Sequence, residues 1–235
     1  MLGIQVLIYA VAAIGPAAVL LIYIYKHDKV EKEPGRLLVK LLIQGVLAAL
    51  LSMALETVGE NVLGMFLYED SPWYWIFMAF LVVAVAEEGT KFLLMKKVTW
   101  RNPNFNFRFD GIVYAVFVSL GFAAFENIGY VLGYGLSVAP SRALLSVPGH
   151  MAFAVYMGYY YGRARWLENY GYKEQAKRSL WTSYLAAVFY HGFYDACAML
   201  GTTLSMIVFF IFVGVTYFRA FRTVRTESRT DAPII

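Results

Sequence analysis

A pair of adjacent glutamates followed by a lysine interrupts a strongly apolar stretch of the chain. Glu87, Glu88 and Lys91 are the only charged residues between positions 73 and 95. Such charges inside a membrane-spanning helix are costly unless they face one another, a cavity or a site. Helical spacing brings Lys91 within reach of either carboxylate. Because the two glutamates point about 100° apart around the helix axis, we expect one to pair with Lys91 and the other to point elsewhere.

Four more ionisable residues fall in apolar sequence, namely Glu126, His150, His191 and Asp195. His191 and Asp195 are four residues apart, so a helix places the carboxylate where it can orient the imidazole. A positioned carboxylate can act as a general base on water, and an oriented imidazole can stabilise a developing oxyanion. We therefore expect these four residues to share one pocket with Glu87 and Glu88.

The same side chains are possible metal ligands. Zinc binds histidine nitrogen and carboxylate oxygen, and the candidate ligands are Glu88, Glu126, His150 and His191. The compact HExxH motif is absent, so ligands would have to converge from several helices. A divalent metal such as zinc and a metal-free mechanism both stay open here. No residues are assigned to an organic cofactor, and the single cysteine, Cys197, excludes a disulfide within the chain.

Composition predicts the elements that must position these groups. Of the 235 residues, 60% are hydrophobic and 15% are charged, whereas soluble domains contain about 25% charged residues. This composition is typical of an all-α, polytopic membrane protein in the lipid bilayer. The apolar stretches predict seven spans, at about residues 2–25, 37–55, 73–95, 111–132, 148–162, 180–200 and 204–218. We expect one transmembrane domain over residues 1–218 and a frayed polar tail over residues 219–235.

Basic residues predict the orientation of the chain. Every lysine and arginine except Arg142 lies after the first, third or fifth span, in the tail, or at an adjoining span end. The positive-inside rule then places the amino terminus outside and the carboxyl terminus in the cytoplasm. The net charge of +4 is explained by this rule, and without an arginine-rich recognition motif we expect no nucleic-acid partner.

Three short motifs, in three different predicted spans, resemble those of the PrsW family of intramembrane proteases. Glu87-Glu88-Gly89-Thr90-Lys91 is similar to its EExxK motif, Phe122 to Glu126 to FxxxE, and His191 to Asp195 to HxxxD. Asp110-Gly111, Asn127 and residues 142–150 also resemble that family. The likeness extends over roughly residues 20–220.

The resemblance implies a multi-pass protease of the bacterial plasma membrane, distantly related to the CAAX prenyl endopeptidases, in which a glutamate activates water. It implies a first, extracytoplasmic-side cut in a single-span substrate such as an anti-sigma factor. Carried onto this sequence, it makes Glu87, Glu88 and His191 essential, with Glu126 and Asp195 supporting them. We add His150 to the catalytic candidates, and Lys91 and Asn127 as supporting residues.

Two other functions are compatible with the same buried groups. A proton-coupled transporter or channel would use Glu88, Glu126, His191 and Asp195 as a relay. A non-enzymatic membrane scaffold would use them only to specify how the helices pack. Cleavage of a substrate would indicate the protease, and ion flux without proteolysis the transporter or channel. Function preserved after conservative replacements would indicate the scaffold.

Overall fold

The computed structural model describes residues 2–234, with the side chains of Leu2 and Val6 left out. The elements are α1 (Leu2–His27), α2 (Gly35–Gly64), α3 (Pro72–Phe77), a π-helical stretch (Met78–Ala84) that joins it to α4 (Val85–Thr99), α5 (Asp110–Tyr134), a 3₁₀ turn (Leu136–Val138), α6 (Ala139–Ser141), a second π-helical stretch (Arg142–Ser146), α7 (Val147–Asn169), α8 (Lys173–Leu200) and α9 (Thr203–Glu227). Two pairs of these α-helices, α3 with α4 and α6 with α7, are continuous through π-helical stretches. When each such pair is counted once, the described residues form seven helical segments, which confirms the predicted all-α class and number of helices.

Four helices in the described residues are long and apolar enough to cross a membrane by themselves. They are Gly3–His27, Gly35–Gly64, Asp110–Tyr134 and Thr203–Glu227. The other three segments are less apolar, since α4, α7 and α8 carry most of the candidate site residues. These polar groups must therefore be covered by neighbouring helices rather than by lipid.

Helix α5 is the centre of the bundle. Every residue from Asp110 to Ala123 is buried, and the helix packs against α1, α2 and α7. Small residues allow two of these crossings. A Cβ atom on Gly121 would lie 2.5 Å from the carbonyl oxygen of Leu42 in α2, and one on Gly158 of α7 would lie 2.5 Å from that of Gly111. These contacts bring backbones together, so α5 can share polar groups with α7.

Several predicted helix ends are wrong. Helix α2 continues to Gly64, so Glu56 belongs to the helix and not to the loop that was expected after residue 55. Helix α7 ends at Asn169 and α8 begins at Lys173, so the polar connection between residues 162 and 180, which we expected to be partly helical, is helical over most of its length. Hydrophobic runs mark the part of a helix that lies in lipid, whereas its hydrogen-bonded turns can extend beyond it.

The expected frayed tail is also wrong. The predicted boundary at residue 218 falls within α9, which ends at Glu227. The following residues pack against the loop before α5, where the backbone N–H of Phe109 donates to Asp231 Oδ1 at 2.9 Å. The N–H of Ile234 donates to the carbonyl oxygen of Asn106 at 2.7 Å. The tail thus supplies partners to backbone groups that would otherwise lack them.

The crossing of α2 and α5 predicts that Gly121→Ala destabilises the protein. The added methyl group would collide with the Leu42 carbonyl, and overpacking costs about 1–3 kcal/mol. Gly133→Ala, in the same helix, is the matched control because a Cβ atom there meets nothing within 4 Å. Thermal unfolding in detergent should show a lower midpoint for Gly121→Ala alone. Equal midpoints for both variants would contradict this account of the crossing.

Candidate active site

The glutamate pair lies in the first turn of α4, which follows directly on the π-helical stretch Met78–Ala84. Single π-helical turns often occur at functional sites, because the extra residue rotates the side chains that follow. Glycines hold this stretch against its neighbours. A Cβ atom on Gly192 of α8 would lie 2.5 Å from Phe80, and one on Gly59 of α2 would lie 2.6 Å from Val82. The close packing positions the first turn of α4 between α2 and α8.

Lys91 lies at the centre of the polar cluster. Its Nζ is 2.9 Å from Glu87 Oε2 and 2.8 Å from Glu88 Oε1, so the expectation that only one glutamate would pair with it is wrong. The flexible lysine side chain places its ammonium between two carboxylates that diverge around the helix. Nζ also lies 3.3 Å from His150 Nδ1 and 3.8 Å from the centre of the Phe122 ring. Lys91 is only 1% exposed, so these groups replace its water shell.

His191 lies between two carboxylates. Its Nδ1 is 2.8 Å from Glu88 Oε1, and its Nε2 is 3.2 Å from Asp195 Oδ2, as the four-residue spacing predicts. The ring of Phe153 stacks on the imidazole, with centroids 5.2 Å apart and an interplanar angle of 23°. The ring is therefore fixed by a hydrogen bond at Nδ1, by a carboxylate contact at Nε2 and by an aromatic face.

A second chain of contacts joins His150 to α5. Its Nε2 lies 3.1 Å from Glu126 Oε2, which also pairs with Arg142 Nη2 at 2.8 Å. Because Lys91 can only donate, it requires Nδ1 of His150 to accept and leaves Nε2 to donate to Glu126. Arg142 Nε donates to Asn127 Oδ1 at 2.8 Å, and Asn127 donates to the carbonyl oxygen of Ala13 in α1 at 2.6 Å. Asn127 thus lies one step behind the cluster.

The two glutamates differ in what they face. A cavity of about 440 Å³ is lined by five of the candidate residues, which are Glu87, Glu126, His150, His191 and Asp195. Glu88 does not line it and is 0% exposed, whereas Glu87 is 6% exposed. Glu87 can therefore meet a molecule in this cavity, while Glu88 lies behind His191.

Two charged residues of this cavity were not among the candidates. Arg142 and Glu56 both line it. Arg142 could have been found because it is the one basic residue that departs from the predicted cytoplasmic distribution. Glu56 directly follows an apolar run, so extending the second helix by one turn would have added it to the intramembrane acids.

Four residues could hold a metal ion together. One ligand atom from each of Glu87, Glu88, His150 and His191 lies within 4.8 Å of all the others. Glu126 was a predicted ligand but falls outside this group, because its carboxylate is directed at Arg142 and His150. The second oxygen of Glu88, Oε2, is buried and has no hydrogen-bond partner in the described part of the chain. The unused oxygen of Glu88 and the two imidazoles together offer carboxylate and histidine ligands, both of which zinc binds.

Comparison with known families agrees with this geometry. Residues 33–219 match the sequence profile described as PrsW family intramembrane metalloprotease. The chain belongs to the PrsW family. It is therefore a membrane-embedded protease, and the resemblance seen in the three short motifs is confirmed over most of the chain.

Curated relatives support the PrsW assignment. The chain is 35% identical to Protease PrsW of Geobacillus kaustophilus over 186 residues, which are 78% of this chain and 76% of that protein. It is 36% identical to Protease PrsW of Oceanobacillus iheyensis over 185 residues, covering 78% and 80% of the two chains. Protease PrsW of Halalkalibacterium halodurans is 31% identical over 220 residues, covering 94% and 97%. No solved structure matches the chain.

The central position of Lys91 predicts that Lys91→Met strongly destabilises this PrsW protein. Removing one partner of a buried ion pair leaves uncompensated charge and costs about 3–5 kcal/mol. Lys97→Met is the matched control, since Lys97 is exposed on the same helix. Chemical unfolding in mixed micelles measures both. A Lys91→Met protein as stable as the control would show that the carboxylates do not depend on this ammonium.

Proposed function

We propose that this protein hydrolyses one peptide bond of a single-span membrane protein in the bacterial plasma membrane, with water activated by Glu87. The observation that carries the proposal is the convergence of carboxylates and imidazoles from α4, α5, α7 and α8 on one cavity. Membership of a protease family favours hydrolysis over a proton relay through the same groups. We further propose that the substrate is an anti-sigma factor, cut first on its extracytoplasmic side.

Glu87 is the proposed general base. It lines the cavity, and its Oε2 is held at 2.9 Å by Lys91, so one carboxylate oxygen is fixed while the group can still meet water. In the proposed reaction Glu87 takes a proton from water as the water oxygen bonds to the peptide carbon. The same proton is then given to the leaving nitrogen as the carbon–nitrogen bond breaks, which restores the carboxylate.

Glu88 and Asp195 are proposed to position His191. They contact opposite nitrogens of the ring at 2.8 and 3.2 Å, and Phe153 covers one face. The oxyanion that forms on attack would replace Asp195 as the acceptor of the Nε2–H of His191 on the cavity side, while Glu88 and Phe153 keep the ring from reorganising during the reaction. Asp195 lines the cavity and Glu88 does not, so the carboxylate of Asp195 lies on the side from which substrate would approach.

The site also fits one divalent cation. Glu88, His150 and His191 are the proposed ligands, because catalytic zinc sites commonly use three protein ligands, and this choice leaves Glu87 as the base. His150 would bind the ion through Nδ1, which accepts from Lys91 in this structure, so the ion would replace that contact. When bound, such an ion polarises the substrate carbonyl and activates water. The contact of Glu126 with His150 Nε2 at 3.1 Å orients this imidazole in the manner of outer partners of metal ligands.

The proposed roles predict that Glu87→Gln, Glu88→Gln and His191→Asn each slow cleavage by about 10²- to 10⁴-fold, the range for loss of a positioned acid–base group. Glu60→Gln is the control, since Glu60 is exposed on α2. Purified variants are reconstituted in liposomes with epitope-tagged, single-span anti-sigma factors encoded in the same genome, and fragments are quantified on gels. Wild-type rates in all three variants would overturn the proposed chemistry. Cleavage of other single-span proteins but no anti-sigma factor would overturn only the substrate.

Metal content gives a test that does not depend on activity. Elemental analysis of the purified protein is expected to find about one divalent ion per chain, as a single site of this donor set requires. His150→Ala should lose most of that ion. His27→Ala is the matched control, because His27 lies at the end of α1 and bonds the Tyr23 carbonyl oxygen. Equal metal content in the two variants, or full activity after chelation, would favour a mechanism by carboxylates alone.

A further inference from the structure

Glu56 is an acid of the cavity that has no assigned role. It lies in α2, and its Oε1 is buried without a hydrogen-bond partner among the residues that the structure describes. The other cavity carboxylates all have cationic or imidazole partners, at 2.9 Å for Glu87, 2.8 Å for Glu126 and 3.2 Å for Asp195. An unsatisfied carboxylate oxygen in an apolar helix is costly. A hydrogen-bond donor on a bound molecule would satisfy this oxygen of Glu56.

Glu56 lies where two cavities meet. The first is the polar cavity of about 440 Å³ that contains the candidate site. The second has about 470 Å³ and is bounded by α2, α4 and α5, with mostly apolar lining that includes Met53, Phe122 and Phe125. The residues common to both linings are Glu56, Glu87, Glu126 and Tyr130. A chain that extends from one cavity into the other would therefore pass the proposed base and Glu56 together.

A transmembrane substrate brings donors that need such a group. In an intact helix each N–H bonds the carbonyl four residues earlier. Access to one peptide bond requires that the local turns open, which leaves N–H groups without partners. In a water-poor environment each unsatisfied backbone group costs several kcal/mol. An acceptor beside Glu87 would offset part of this cost by accepting a hydrogen bond from one of these N–H groups. This interaction would exist only while the substrate is unwound.

We propose that Glu56 binds substrate, accepting a hydrogen bond from a backbone N–H of the unwound segment beside the bond to be cut. The proposal rests on the proposed protease site and adds to it a residue that acts in binding rather than in proton transfer. Glu56 is outside the group of possible metal ligands. Glu87 and Glu126, the other acids shared by the cavities, already have cationic partners in Lys91 and Arg142.

Steady-state kinetics of three variants test this role. The substrate is the single-span protein cut by the wild type, or, if none is found, a synthetic single-span peptide with a photoreactive group. Glu56→Leu removes the acceptor and should raise KM about 10- to 100-fold, as for loss of a hydrogen bond to a charged group, with kcat within about threefold. Glu56→Gln keeps one acceptor oxygen and should raise KM far less. Glu60→Leu, one turn along α2 at an exposed position, should leave both constants unchanged.

Photo-crosslinking separates this proposal from the proposed function. Capture of the photoreactive peptide should fall in Glu56→Leu but not in Glu56→Gln or Glu60→Leu, whether or not the peptide is cut. Cleavage by none of the proteins, with this pattern of capture, would overturn the proposed function and support the role of Glu56. Unchanged KM and capture in Glu56→Leu would overturn the role of Glu56, as would loss of kcat at constant KM in Glu56→Gln.

Discussion

The ammonium of Lys91 between the carboxylates of Glu87 and Glu88 is the interaction on which the rest of the site depends. Two adjacent acids in an apolar helix could not remain buried without a cation, and Lys91 contacts both at under 3 Å. Its third contact, with His150 at 3.3 Å, ties α4 to α7. Glu88 then reaches His191 on α8. One lysine therefore couples three helices that a purely apolar interface would leave free to shift.

Close helix crossings make those polar contacts possible. Short side chains such as the imidazoles of His150 and His191 cannot reach carboxylates on other helices held at ordinary distances, so the backbones must approach each other. Gly158 of α7 meets Gly111 of α5, and Gly192 of α8 meets Phe80 of the π-helical stretch. Substituting larger residues at these crossings would push the helices apart and separate the interacting side chains. The small residues at these crossings are thus required both for helix packing and for the polar contacts of the site.

The sequence was sufficient to predict features set by local spacing. Apolar runs predicted the seven helices, and the interval between His191 and Asp195 predicted their contact. The sequence was insufficient for features that depend on contacts between helices. That both glutamates share Lys91 depends on the conformation of the lysine side chain, which also contacts His150 of α7 and Phe122 of α5. The end of α2, and with it Glu56, depends on contacts with residues 78–84 that hydropathy does not encode.

The charges of the paired network explain how four acids can be buried together in one site. Glu87, Glu88, Glu126 and Asp195 are balanced by two cations, Lys91 and Arg142. His191 can donate to both of its carboxylate neighbours only as an imidazolium, which leaves one negative charge in excess when the acids are ionised, whereas a neutral ring leaves two. Because Lys91 already gives the glutamates a partner, the helices can assemble before any ion binds. The excess is negative for either state of His191, so electrostatics favour a cation over an anion beside the two imidazoles and the unused oxygen of Glu88, the group that could hold a metal ion.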